Sequence, residues 1–194
     1  MEYITSSDFH FKDTAVALGK FEGIHRGHQL LMDEVKKQEL HGLRSVVFTF
    51  DRPTRLTLTG DTEYKQIYTK KERREILEKR GIDILIEHPF TKEFAALTPD
   101  RFIREVLVEK VGAKVIVVGT DFHFGKNRSG SITDLEKLEE ECGYHLIVVE
   151  KLQLNGKDIS STRIRASLEK GAMEEAKALL GRNYSVSGEI LHGN

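Results

Sequence analysis

The chain has no tryptophan, one cysteine, three prolines and almost no net charge, since 30 lysines and arginines oppose 31 aspartates and glutamates across 194 residues. A lone Cys142 cannot close an intrachain disulfide, and its Glu-Cys-Gly setting beside apolar residues predicts a quiet, partly buried thiol. No Pro- or Ser-rich linker and no repeat interrupts the first 180 residues, so one domain is expected there. A formal charge of -1 gives no electropositive field across the molecule. That excludes wholesale capture of nucleic acid by phosphate neutralisation, while a local anion site stays open. The basic runs at 70–74 and 110–114 are interleaved with acids and read as solvated helix faces or element ends. The first eleven residues include Glu2 and Asp8, and the longest aliphatic run is only 115–118. A cytoplasmic protein with no export signal and no membrane contact is therefore expected.

What is present is the balance of an ordinary globular protein, with 39% hydrophobic and 31% charged residues. Short apolar, β-branched runs recur at 14–18, 45–50, 82–86, 114–118 and 146–149 and read as five buried strands. Helical punctuation lies between them. Thr69 with Glu72, and Thr133 with Glu136, have capping-box spacing, and Gly81 and Gly143 stand where helices should end. Thr98 before Pro99 looks like a cap and first-turn proline, followed by Phe102, Ile103, Val106 and Leu107 as one apolar face. This alternation predicts an α/β fold, a Rossmann-like parallel sheet flanked by helices, with ligands beyond the carboxyl ends of the strands.

Two strand-to-helix turns carry the chemistry. The first runs from Gly19 through Lys20, Phe21, Glu22 and Gly23 to His25 and His28. Glycines let backbone approach a ligand closely, and the amides of a new helix face an anion. His25 and His28 lie three residues apart and would add ring donors for phosphate oxygens. Taken alone, His-x-Gly-His equally fits a His25 that caps locally and a His28 that merely opens a helix. The second turn, Asp158 to Arg165, offers Ser160 or Ser161 as cap, with Ser161, Thr162 and Arg165 placed to surround a leaving pyrophosphate. Alone, it also fits an ordinary capped helix with an exposed arginine. A zinc reading through His25, His28, His123 and Cys142 is disfavoured because closely spaced ligand pairs beyond the two histidines are lacking.

Both strings, together with the Gly-Thr-Asp121-Phe122-His-Phe124-Gly loop and the 178–184 segment, resemble the FMN adenylyltransferase domain of bacterial bifunctional riboflavin kinase/FMN adenylyltransferases, of the nucleotidyltransferase superfamily. The resemblance implies transfer of AMP from ATP to FMN, giving FAD and pyrophosphate with Mg2+. It assigns ATP and phosphate binding to Gly19, Lys20, Phe21, Gly23, His25, His28, Ser161, Thr162 and Arg165, with His28 and Arg165 acting in catalysis. Asp121, Phe122, Phe124 and Arg128 form the nucleotide or flavin loop, although Phe122 and Phe124 equally suit core anchors and Asp121 a turn. The metal ligands stay unassigned, and no sequence signal bears on oligomeric state. Lys20 and Glu22 stand where the family usually has Asn and Asp, and 51–54 reads Asp-Arg-Pro-Thr where it commonly has Pro-His-Pro after an acid. Residues 1–183 are read as the adenylyltransferase domain. Residues 184–194 are read as a vestige or truncated start of a riboflavin kinase barrel. Two alternatives remain, another phosphorylated acceptor or a catalytically weak flavin or nucleotide sensor.

Overall fold

The computed structural model describes residues 1–52 and 65–188. Pro53 and Thr54 of the altered loop, and most of the 184–194 tail, lie outside the described residues. Six parallel strands form one sheet: β1 (Glu2–Ile4), β2 (Thr14–Leu18), β3 (Arg44–Phe50), β4 (Ile84–His88), β5 (Ala113–Gly119) and β6 (His145–Val149). Their order is β1-β4-β3-β2-β5-β6. Chain order runs outward from β2 in one direction through β3 and β4, then restarts on its other side with β5 and β6. The loops after β2 and β5 therefore diverge at one point, and a crevice at that switch is where such sheets bind ligands.

Each central strand is buried on both faces, so its alternate residues feed two cores. Val16, Leu18, Val46, Phe48, Ile116 and Val118 pack with Phe102, Ile103, Leu107 and Leu135 on one face. Ala15, Ala17, Val47, Leu85 and Val117 pack with Leu31, Met32, Val35 and Leu77 on the other. Fully burying one such aliphatic side chain contributes about 1.5–3 kcal/mol. Leu31, Met32 and Val35 are the buried stripe of α1 (Arg26–Lys37), and Leu77 belongs to α2 (Lys70–Lys79). A third cluster of Ile67, Tyr68, Ile159, Ile164, Leu179 and Leu180 lies outside the sheet.

The sequence reading needs several corrections. The 146–149 run, expected as a buried strand, is the edge strand β6 and is only partly buried, Val148 being 38% exposed. Strand β1 was not expected; it is three residues long and too short for a period to register. Strand β4 starts and ends two residues later than expected because Glu87 and His88 are buried, Glu87 being ion-paired with Arg73 and accepting from the Tyr3 hydroxyl at 2.5 Å. Arg73 is consequently 9% exposed and no part of a solvated helix face. The capping box at Thr69 and Glu72 is present, but that of α5 (Ile132–Cys142) uses Ser131 and Asp134, two residues before the expected pair. After the one-turn α3 (Lys92–Ala95), the segment after Pro99 starts as α4 (Pro99–Arg101) but continues over Phe102–Lys110 as a π-helix; Val111 N–H reaches Val106 O at 2.9 Å. Its buried face is the expected one. Cys142 is half-buried.

Gly112, ending the π-helix, has φ +66, and a Cβ there would stand 2.2 Å from the Phe11 carbonyl oxygen. Gly143, with φ +68, would put a Cβ in open space. Gly143→Ala should therefore cost about 1 kcal/mol from backbone strain alone, and Gly112→Ala at least about twice that, because backbone must also move. Equal losses in urea unfolding would contradict the close approach.

Candidate functional site: two helix openings at the sheet's switch point

Between β2 and α1 the chain makes a turn that few sequences tolerate. Phe21 and Ile24 both have left-handed φ, 45 and 42, although neither is glycine, and both are wholly buried. The turn is held from several directions. Gly19 N–H donates to Phe48 O at 3.3 Å, and Thr49 Oγ1 donates to Lys20 O at 2.9 Å, tying it to β3. Gln29 Nε2 donates to Ile24 O at 2.9 Å and Leu180 O at 2.8 Å. Arg182 donates from one nitrogen to Ile24 O at 2.8 Å and from another to Gly23 O at 2.9 Å.

The second turn opens α6 (Ser161–Glu169) after a hairpin of β7 (Gln153–Leu154) and β8 (Lys157–Asp158). Ser160 is its cap, accepting from Arg163 N–H at 3.2 Å, which leaves Ser161 and Thr162 as the first two helical residues. Arg163 faces away from the first turn and binds Glu175, at 2.8 Å, of α7 (Met173–Leu180).

The two openings meet. A Cβ on Gly23 would stand in ordinary contact with Ile164 Cδ1 at 3.4 Å and Ser161 Oγ at 3.8 Å, and tightly against Ile67 Cδ1 at 3.1 Å, so the first turn abuts the start of α6. Arg165 of α6 reaches back to Glu22 of the first turn, Nη1 to Oε2 at 2.8 Å, and its Nη2 lies 3.4 Å from Thr162 Oγ1. Glu22, one of the two departures from the family's usual pattern, thus orients the arginine expected at the leaving group. Lys20, the other, is exposed and borders a shallow cleft with Thr49, Phe50, Arg52, Tyr68 and Arg73.

The two histidines are stacked, with ring centroids 3.6 Å apart and planes 13° apart. His25 is the cap of α1, its Nδ1 accepting from His28 N–H at 3.2 Å, so Nε2 carries the proton of its neutral ring. His28 is half-buried as a residue, but its Nδ1 is sealed off with no hydrogen-bond partner. Burial lowers His25 to about 4, and burial with the neighbouring His25 holds His28 well below the usual histidine range. Both rings are therefore neutral at pH 7 and can act as hydrogen-bond donors, not as cations.

The remaining expected residues divide. Asp121 follows β5, is exposed, and forms an ion pair at 3.1 Å with Lys151, which also holds Asp158 at 3.2 Å; this links the β5 loop to the hairpin before α6. Phe124 is 7% exposed and packs on Phe102 and Phe122 within the core, with Phe122 half-buried beside it. Arg128 is exposed in a short 3-10 turn. Sequence reasoning assigned no role to Arg182 or Gln29; a cation directly after the helix-ending Gly181 was the only local signal. The described residues contain no cluster of three or more His, Cys, Asp or Glu suited to a metal.

The sheet order, the glycine–histidine turn at the switch point and the second helix opening against it define a nucleotidyltransferase-type α/β protein. The chain belongs to the FAD synthetase family, whose sequence model matches residues 8–163. The bifunctional riboflavin kinase/FMN adenylyltransferase of Buchnera aphidicola subsp. Schizaphis graminum is 32% identical over 184 residues, covering 94% of this chain and 59% of its own length. The chain spans about three fifths of the length of the curated relatives it matches. A solved structure named Macrolide-efflux Protein, from Streptococcus pneumoniae, has a TM-score of 0.84 at 30% identity over 98% of this chain and 66% of that one. Among the described residues no helix is long and apolar enough to cross a membrane. Pantoate-beta-alanine ligase from Francisella tularensis, complexed with beta-gamma ATP and beta-alanine, shares the fold, with a TM-score of 0.52 at 14% identity over 90% of this chain and 85% of that one.

The depressed His25 predicts a pH effect on stability. Above pH 6.5 folded and unfolded chains both hold it neutral. Below that, the unfolded chain binds a proton that the folded one refuses until about pH 4, so stability falls across this window. The His25 share of the loss between pH 7 and pH 5 should be roughly 2 kcal/mol. His25→Asn keeps a cap acceptor and removes the titration, so its urea-unfolding curve should lose less over that interval; an unchanged pH slope would contradict the assignment.

Proposed function

We propose that the chain joins the AMP part of ATP to FMN, producing FAD and pyrophosphate. The observation that carries this reading is the contact between two helix openings, Gly23 against Ser161 and Glu22 against Arg165, which supports two sets of amides and donors acting on one ligand. An FMN phosphate oxygen attacks the α-phosphorus of ATP; that P–O bond forms as the bond to the bridging oxygen breaks, and the electron pair departs with pyrophosphate. A phosphate monoester is already largely dianionic near neutral pH, with its second pKa near ~6, so no protein base has to remove a proton. Catalysis then rests on alignment and on stabilising charge.

His25, His28 and the amides around Gly23, with Gly19, Lys20 and Phe21 shaping the turn, hold the triphosphate. Ser161, Thr162 and Arg165 take the departing end. Neutral histidines suit this role because they donate hydrogen bonds with no change in protonation. Magnesium would neutralise triphosphate charge, and Glu22 or Asp121, now ion-paired with Arg165 and Lys151, would be the carboxylates to hold it. Asp121, Phe122 and Arg128 border the nucleotide or flavin side, with Phe124 supporting the loop from the core. Residues 1–183 act as the adenylyltransferase unit, and residues 184–194 resemble the opening of the kinase barrel. ATP and FMN are the partners, with no nucleic acid, and the setting is cytoplasmic.

Incubation with ATP, Mg2+ and FMN should yield FAD and pyrophosphate in equal amounts, separated by chromatography. A product only with another phosphate monoester would replace the acceptor, and binding without product would make the chain a sensor. His28→Ala should lower kcat/KM about 100-fold with a nearly unchanged melting temperature. Arg165→Ala should lower turnover similarly and also reduce stability, since it removes the ion pair of the buried Glu22. Unchanged turnover would remove either residue from the mechanism.

A further inference from the structure

The turn between β2 and α1 is strained at two non-glycine residues, and such a backbone persists only where its surroundings fix it. Its most distant support is Arg182, 158 positions beyond Ile24 along the chain. The guanidinium lies over the Tyr68 ring, 5.1 Å from its centroid, and Tyr68 contacts Tyr184, whose hydroxyl donates to Ile67 O at 3.1 Å. From this seat two separate nitrogens reach two successive carbonyl oxygens, those of Gly23 and Ile24, at 2.9 and 2.8 Å. A planar fork holds two such donors in a fixed geometry, whereas an ammonium offers rotatable donors from one compact nitrogen.

A consequence follows from peptide geometry. Among the described residues all peptide bonds are trans, and in a planar trans peptide the N–H points opposite to the carbonyl it is bonded with. Fixing the carbonyls of Gly23 and Ile24 on the Arg182 side therefore turns the N–H groups of Ile24 and His25 to the other side. Those two N–H groups immediately precede α1, where the helix favours an anion. We propose that Arg182 is a positioning residue for nucleotide transfer: by gripping the Gly23 and Ile24 carbonyls it aims two backbone N–H donors at the phosphate chain of the nucleoside triphosphate. This rests on the phosphate-binding reading above and deepens it, naming a residue that never touches the substrate. A merely structural Arg182, tying down the end of α7 through its 3.3 Å contact with Leu180 O, would leave phosphate affinity untouched.

The test is calorimetric titration of the full chain with α,β-methylene ATP and magnesium, in the absence of FMN, alongside FMN affinity by flavin fluorescence. Arg182→Lys keeps a cation near Tyr68 but loses the fork, and Arg182→Gln keeps a short planar donor. Both should bind the analogue at least tenfold more weakly while FMN affinity stays within twofold. Tyr184→Phe removes a hydrogen bond of the same segment without touching the turn and should leave analogue affinity unchanged. If Arg182→Gln does not fold, Arg182→Lys decides alone. Unchanged analogue affinity in Arg182→Lys overturns the inference, as does a parallel loss of FMN affinity. Wild-type chain that binds the analogue yet makes no FAD would refute the proposed reaction and leave this comparison valid; wild-type chain that binds no analogue overturns both.

Discussion

The site depends on a turn that its own residues would not adopt unaided. Left-handed φ at Phe21 and Ile24 costs of order 1–3 kcal/mol apiece, and a β-branched residue is among the least tolerant of it. The compensation comes from elsewhere in the fold: hydrophobic burial of both side chains, hydrogen bonds from β3, and two long side chains, Gln29 and Arg182, that take the turn's carbonyls. A relaxed loop could close the same strand–helix connection. It would not present successive N–H groups beside a helix opening, nor bring Gly23 against α6. Under the proposed function the strain is the cost of preorganisation, met before any ligand arrives.

Charge is arranged with the same economy. The two rings expected to meet phosphate are stacked, shielded and neutral, and His25 already uses one nitrogen to cap α1. The sealed Nδ1 of His28 has no partner among the described residues, an arrangement that costs stability of about 1–3 kcal/mol. Formal positive charge is supplied by Arg165, and Glu22 holds it in place across the junction of the two turns. The longer carboxylate at position 22 therefore has a use in this chain, reaching an arginine that starts from a different helix.

Much of the architecture was legible because continuous apolar runs bounded by Gly, Pro or charge mark strands at five positions, four of them buried and the fifth, β6, a half-exposed edge strand, and because the capping signals at Thr69, Thr98, Ser160 and Gly143 are local. Two of the misses, Glu87 and β1, share a cause, which is that the deciding contact is remote in sequence. Glu87 looks like a strand end until Arg73 arrives to neutralise it, and β1 exists only because β4 offers an edge. The π-helical bonding after Phe102 leaves the apolar face that an α-helix would show, so periodicity could not reveal it. At the site, both motifs were readable as phosphate-facing turns. Their mutual contact, the neutral state of the histidines and the grip of Arg182 were not, since each is a property of packing. The aromatic pair at Phe122 and Phe124 illustrates the converse: a motif readable as ligand-facing is anchored largely in the core.

The central claim is that a single triphosphate chain is gripped from both helix openings at once. A crystal structure of the chain with α,β-methylene ATP and magnesium measures this directly. Phosphate oxygens should lie within about 3.2 Å of donors in both groups, Ile24, His25 and His28 on one side and Ser161, Thr162 and Arg165 on the other. A triphosphate bound against only one of the two turns, or outside the crevice between β2 and β5, would contradict it.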